Sequence, residues 1–212
     1  VGCAPDAAAG RPLHGGRCAR YVADDAVPAE AARELRGMVE WLLAEIWGGG
    51  AGPPSVVDLH AGSISYKESF VELAAFMDWK KLEFTRAQVA AFTAVREALR
   101  TSLAKLLGVA PDSLLHDLSF ISHINASKTA KTVHDEYWHS HVDTLQYGTF
   151  AYTALLYLST EGVDFDGGTF VFEGTEAEPN ATLVEPRFGR LVAFTSSSEN
   201  PHRVEQVTRG IR

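Results

Sequence analysis

Four short runs of apolar, aromatic and β-branched residues follow one another late in the chain, at 152–158 (YTALLYL), 169–172 (TFVF), 191–195 (LVAFT) and 202–207 (HRVEQV). No helical stretch interrupts them, and such a series confines the chain to an antiparallel sandwich or jelly roll. The links have turn chemistry: DGG at 166–168, EPRFGR at 185–190 and TRG at 208–210. His141-Val142-Asp143 stands just before the first run, and His202 heads the last, 59 residues beyond Asp143. A barrel of this kind brings positions far apart in sequence to one mouth. Two imidazoles and one carboxylate gathered there form the facial triad that holds non-haem Fe(II) and leaves three cis positions open. Arg212, ten residues past His202, adds a guanidinium fork suited to a dicarboxylate such as 2-oxoglutarate.

The motif alone carries little weight, since 8 His and 11 Asp in 212 residues give roughly 0.4 His-x-Asp matches by chance. Its context separates it from its rivals. His134-Asp135-Glu136 could supply a His-x-Glu pair, and His139 lies two residues before His141. Only the His141 pair directly precedes the strand series, and its carboxylate is the shorter one usual in this triad. The DEYW stretch at 135–138 reads either as the lining of an entrance or as a solvated loop. His14, His60 and His116 have no partner at ligand spacing and read as surface or hydrogen-bonded structural residues.

The first half reads as helical support. Residues 28–47 place Leu35, Met38, Val39, Leu42, Leu43 and Ile46 on one stripe at helical spacing, stopped by three glycines at 48–50. Thr85-Arg86-Ala87-Gln88 is a capping box, after which Phe92, Val95, Leu99, Leu103 and Leu106 keep one face as far as Gly108. Both helices are expected to pack on the outside of the sheet, with Trp41 and Trp47 in core or seam. Residues 56–59 and 118–121 read as strands. The fold class is therefore α+β, a jelly roll with supporting N-terminal helices. Its expected organisation is a flexible leader at 1–20 and a single domain at 21–212, divided into helical support at 21–117 and a jelly-roll core at 118–212.

Composition bounds the function. A net charge of −8 argues against a nucleic-acid partner held by phosphate neutralisation. No apolar run reaches the length of a membrane span. The chain opens on Val without a signal-like stretch, so it reads as a processed or truncated piece, and an anchor outside it remains compatible with the sequence. It stops at Arg212, where a jelly roll normally continues into one more strand. Cys3 and Cys18 read equally as free thiols or as a disulfide loop. Of three asparagines, two head glycosylation sequons, Asn125-Ala126-Ser127 and Asn180-Ala181-Thr182, which favours the lumen of the secretory pathway (endoplasmic reticulum or Golgi) or the cell exterior.

The stretches HDEYWHSHVD, YTALLYLS, DFDGGTFVF, VEPRFGRLVAF and ENPHRVEQVTRGIR together resemble the catalytic core of the prolyl 4-hydroxylase-like family of Fe(II)- and 2-oxoglutarate-dependent dioxygenases. The resemblance runs from His134 to Arg212 and extends back through Val56-Val57-Asp58-Leu59-His60. It implies His141, Asp143 and His202 as metal ligands, and Arg212 as the partner of the distal carboxylate of 2-oxoglutarate. By the same token Tyr157 is a second donor to that carboxylate. It also implies O2 as oxidant, ascorbate as a compatible reductant, and hydroxylation of a protein or peptide side chain, with proline the leading class and succinate and CO2 released. Proteins of this type are typically membrane-anchored or secreted. Two other readings follow from the barrel alone: an inactive jelly-roll binding module, and a cupin-like metalloprotein using another oxidant.

Overall fold

The computed structural model describes residues 18–116, 119–148, 150–176 and 178–212. Cys3 and His14 lie outside the described residues; Cys18 is disulfide-bonded. In chain order the elements are β1 (Arg20–Ala23), α1 (Ala29–Glu45), β2 (Pro54–Asp58), β3 (Ser63–Tyr66), β4 (Ser69–Glu72), α2 (Leu73–Lys80) and α3 (Arg86–Leu107). After these come β5 (Phe120–Ile124), α4 (Asp143–Tyr147), β6 (Tyr152–Leu156), β7 (Phe165–Gly167), β8 (Phe170–Phe172), β9 (Thr182–Val184), β10 (Leu191–Thr195), β11 (His202–Val204) and β12 (Val207–Gly210). All strand pairs are antiparallel, in the orders β4-β3-β2-β5, β1-β10-β6, β12-β7 and β11-β8-β9.

Strand β10 shows why the sheets close around a core. Its LVAFT run is buried throughout, because both faces are covered. Val192 and Phe194 point into the barrel with Tyr157, Phe170, Phe172 and Val184. Leu191 and Ala193 point the other way, onto Leu103 of α3. The continuous apolar run is thus two alternating faces, each with its own partner.

The stripe residues Leu35, Met38, Val39, Leu42 and Leu43 of α1, and Ile46 just past its end, are all buried. Val39, Leu42, Leu43 and Ile46 pack on Val57, Ile64 and Leu73, while Leu35 and Met38 meet Val95 of α3. Each such side chain contributes roughly 1.5–3 kcal/mol on burial, so packing outweighs helix propensity here. Helix α3 begins with the expected reciprocal capping box of Thr85 and Gln88 and stops at Gly108 in the left-handed conformation, φ 68°.

Several expectations need correction. Within 21–117 the strand expected at 56–59 is present as β2, and β1, β3 and β4 are strands not expected there: β1 completes one edge of a barrel sheet, and β2, β3 and β4 extend the sheet of β5. Residue Arg20, assigned to the leader, opens β1. Trp47 is 64 % exposed rather than in core or seam. It follows the last helical turn with φ 55°, which swings it off the buried stripe. Its ring lies beside those of Tyr66 and Trp79.

The stretch 202–207 is not one strand, and 208–210 is not a turn. The chain breaks at 205–206 and resumes as β12, paired with β7 across a bulge. Gly210 there has φ 77°, and a Cβ on it would lie 2.2 Å from the Asp164 carbonyl oxygen. Its glycine therefore serves a close backbone approach within a sheet. Residues 211 and 212 continue onto β5: Arg212 N–H donates to the Ile124 carbonyl and Ile124 N–H to that of Arg212.

Candidate metal centre

His141, Asp143 and His202 converge, each offering one ligand atom within 4.8 Å of the others. His141 sits on a bridge to β11: its N–H donates to the His202 carbonyl at 2.9 Å, and the reverse bond is 3.0 Å. The two imidazoles are thereby clamped with ring centroids 4.4 Å apart. Asp143 heads α4, a five-residue helix that sequence periodicity does not reveal. One carboxylate oxygen, Oδ1, lies 3.7 Å from His141 Nε2 and 3.6 Å from His202 Nε2.

The donor chemistry fits a divalent metal. His202 Nδ1 is 2.9 Å from the Asn200 carbonyl and His141 Nδ1 is 3.0 Å from the His139 carbonyl. A carbonyl accepts only, so each ring must donate its proton there, leaving both Nε2 lone pairs free toward Asp143. Burial holds the His202 pKa below its ordinary value, keeping the ring neutral as a ligand must be. Phe170 stacks on His202 at 5.1 Å and Phe194 meets it edge-on at 4.9 Å, which shields the ring from water.

The rivals do not assemble. His134 is exposed, and the Glu136 carboxylate instead pairs with His139 at 2.6 Å, also at the surface. Within the DEYW stretch Asp135 caps a turn through the Thr132 and Lys131 N–H groups. Tyr137 accepts from Val207 N–H at 2.7 Å and packs on Ile124 and Phe165. Those two residues are therefore structural.

Arg212 and Tyr157 come together at a second point. The Arg212 guanidinium carbon lies 5.3 Å from the Tyr157 ring centroid, and Arg212 Nε donates to the Gly168 carbonyl at 2.9 Å. A side chain on Gly168 would put a Cβ 2.8 Å from Arg212 Cδ, so glycine makes room for the fork. Arg212 Nη2 and the Tyr157 hydroxyl are buried and interact with each other, and neither makes a hydrogen bond of good geometry among the described residues. Burial pushes the Tyr157 phenol up to about 12, against the pull of the neighbouring cation. Two buried donors without a well-placed acceptor are costly, and a carboxylate between them satisfies both. The 2-oxoglutarate expected from the sequence fits this pair. Arg209, the rival cation, is exposed and bound fork-on to Asp166 at 2.5 and 3.0 Å.

A cavity of about 790 Å³ between α3, β5 and β6 reaches Tyr157 and Arg212. It also takes in His123 and His116, each with one buried ring nitrogen lacking a partner among the described residues. His116 is partly exposed and lines this cavity, and His60 is exposed. His123, Thr153, Asn200 and Ser196 escaped the sequence reading. The hydroxyls and the amide carry no spacing signal, and His123 stands alone in an apolar strand.

Comparison with known proteins agrees with this geometry. Residues 127–212 match the model of the 2OG-Fe(II) oxygenase superfamily. The chain is 42 % identical over 198 residues to human (Homo sapiens) 2-oxoglutarate and iron-dependent oxygenase domain-containing protein 3, covering 92 % of this chain and 60 % of that protein. It thus spans about three fifths of that relative's length. A shorter match, 46 % identical over 61 residues, covers 29 % of this chain and 8 % of Prolyl 3-hydroxylase 2 of Mus musculus. The crystal structure of a Pseudomonas putida prolyl-4-hydroxylase superposes with a TM-score of 0.54 at 20 % identity, covering 91 % of this chain and 87 % of that one. That likeness concerns the fold, a double-stranded β-helix.

Proposed function

We propose that this protein, whose residues 127–212 match the 2OG-Fe(II) oxygenase superfamily, hydroxylates a C–H bond of a peptidyl side chain, using Fe(II), 2-oxoglutarate and O2. The observation that carries the reading is the convergence of His141, Asp143 and His202; Tyr157, beside Arg212, packs in one cluster with Phe170 and Phe194, whose rings contact His202. When bound, the iron and 2-oxoglutarate supply an oxidant that inserts one atom of O2 into substrate while the other leaves in succinate, with CO2 released. His141 and His202 present Nε2 to the metal and Asp143 presents Oδ1. Arg212 and Tyr157 hold the distal carboxylate and so orient the other end of the co-substrate toward the metal. The aromatic wall of Phe170, Phe172 and Phe194 keeps water from the His202 side.

Proline is the leading substrate class, supported by the prolyl hydroxylase relatives and by analogy only at that level. The inactive-module reading leaves the retained ligands and both buried donors without a role. Incubation with a proline-containing peptide library, Fe(II) and 2-oxoglutarate should give products heavier by one oxygen. No oxidised product across peptide libraries, with metal bound, would refute the peptidyl reading.

We also propose a lumenal or extracellular, glycosylated protein, membrane-anchored through a segment outside these residues. Disulfide-bonded Cys18 and the exposed Asn180 sequon support it. No helix among the described residues is long and apolar enough to cross a membrane. Expressed in a secretory host, the protein should lose mass on glycosidase treatment; an unmodified cytosolic product contradicts the proposal.

A further inference from the structure

We propose that Thr153, backed by Ser196, is a positioning residue that restricts Asp143 to a single metal-facing oxygen. The proposal rests on the metal-centre reading above and concerns residues outside the ligand set. Asp143 is 5 % exposed, and its two oxygens have different surroundings. Oδ1 faces both imidazole Nε2 atoms at 3.6–3.7 Å. Oδ2 accepts the Thr153 hydroxyl at 2.5 Å, and Thr153 Oγ1 lies 2.8 Å from Ser196 Oγ.

Proton counting fixes the direction of this chain. Each hydroxyl owns one proton, and an ionised carboxylate can only accept. With its proton committed to Asp143, Thr153 must accept from Ser196. The relay therefore runs one way, from Ser196 through Thr153 to Oδ2. Ser196 is 1 % exposed, so water does not compete for it.

The tie also spans elements. Asp143 begins α4, Thr153 lies in β6 and Ser196 follows the end of β10. Thr144, the next residue, donates both its N–H (3.0 Å) and its hydroxyl (2.6 Å) to the Ser196 carbonyl. A five-residue helix cannot hold itself in place. The orientation of the carboxylate is set by these bonds to the sheet.

The chemical consequence concerns vacant positions. A carboxylate can ligate through one oxygen or two. A bidentate Asp143 would occupy one of the three positions that a facial triad leaves open. Oδ1 faces both imidazoles, and the Thr153 hydroxyl holds Oδ2 away toward β6, which disfavours Oδ2 as a second ligand atom. Thr153 thus acts through Asp143 to keep room for co-substrate and oxygen.

The test uses Co(II) alone as probe, on the full chain. Affinity is read by competition with a chelator, and coordination number by the visible band intensity of the Co(II) protein. Thr153→Val keeps the shape and removes the hydroxyl. It should weaken Co(II) binding by about 10–100-fold, as loss of an outer-shell partner typically does, and alter the visible band. Thr153→Ser should restore both readouts. Ser196→Ala should give a smaller loss in the same direction, with thermal unfolding like that of the parent, and it carries the test if Thr153→Val does not fold. Parent-like affinity and spectrum in Thr153→Val, or in Ser196→Ala where that variant stands in, overturns the proposal. So does failure of Thr153→Ser to restore them. If Asp143→Ala loses Co(II) while Thr153→Val keeps it, the metal centre stands and only the clamp falls. A parent chain that binds no Co(II) removes both.

Discussion

Each imidazole of the candidate metal centre gives its Nδ1 proton to a backbone carbonyl, His141 to His139 and His202 to Asn200. This backbone wiring makes the ligand tautomers a property of the local chain rather than of a bound ion. Asn200 in turn is held on both sides. Its amide donates to the Thr195 carbonyl at 2.7 Å, and its oxygen accepts from Arg20 Nε at 2.5 Å. The three ligand candidates were legible because ligand chemistry has a spacing signature; Asn200 and Thr153 were not, because a supporting hydrogen bond has none. Arg212 belongs at this scale too. A charge-assisted pair in a buried pocket is worth about 1.5–3 kcal/mol, and its loss leaves the carboxylate of the co-substrate facing Tyr157 alone. Arg212→Ala should therefore raise the 2-oxoglutarate Kd at least about tenfold in calorimetry, with metal binding intact. Arg209→Ala, which breaks only an exposed pair with Asp166, should change it little. Unchanged affinity in Arg212→Ala would show that the co-substrate lies elsewhere.

Elements with a strong period were readable, and those made by context were not. The α1 stripe and the α3 capping box follow from side-chain spacing alone, and both are present. Helix α4 is one turn long and depends on bonds to β6 and to Ser196, just past β10. Strand β12 looked like a turn because Gly210 marks turns far more often than close strand contacts. Strand β1 exists only because β10 offers it an edge. Strand β5 has a consequence for pH. Its His123 is half-buried against the cavity, and desolvation holds its pKa below the ordinary 6.5; His116 shifts the same way. The folded state therefore binds fewer protons than the unfolded state below that value, so the stability contribution is full above pH 6.5 and declines as pH falls toward the lowered folded pKa. The unfolding temperature should drop on acidification from about pH 7.5 to 5.5, and His123→Gln should flatten that slope. An equally steep slope in the variant would remove His123 as its source.

At the scale of the molecule, the antiparallel series of short strands announced a sandwich or jelly roll, and the strands pair antiparallel in several short sheets. The barrel is what gathers ligands 59 residues apart in sequence. The strands within 21–117 are only partly legible. Residues 56–59 read as a strand, which is present as β2, whereas β3 and β4 are four residues each and β4 shows no burial alternation, so their addition to the sheet beyond β2 is set by tertiary contacts and not by local pattern. The helices pack outside the sheets as expected, covering β10 from one side and β2 and β3 from the other. The resulting rigid frame holds three donors in one place before any ion arrives, and this is the central claim. It is tested most directly by iron retained after anaerobic gel filtration, compared among the parent chain, Asp143→Ala and His139→Ala. The frame predicts about one Fe(II) per chain in the parent and in His139→Ala, and none in Asp143→Ala. Equal loss in the two variants, or full retention in Asp143→Ala, would contradict it.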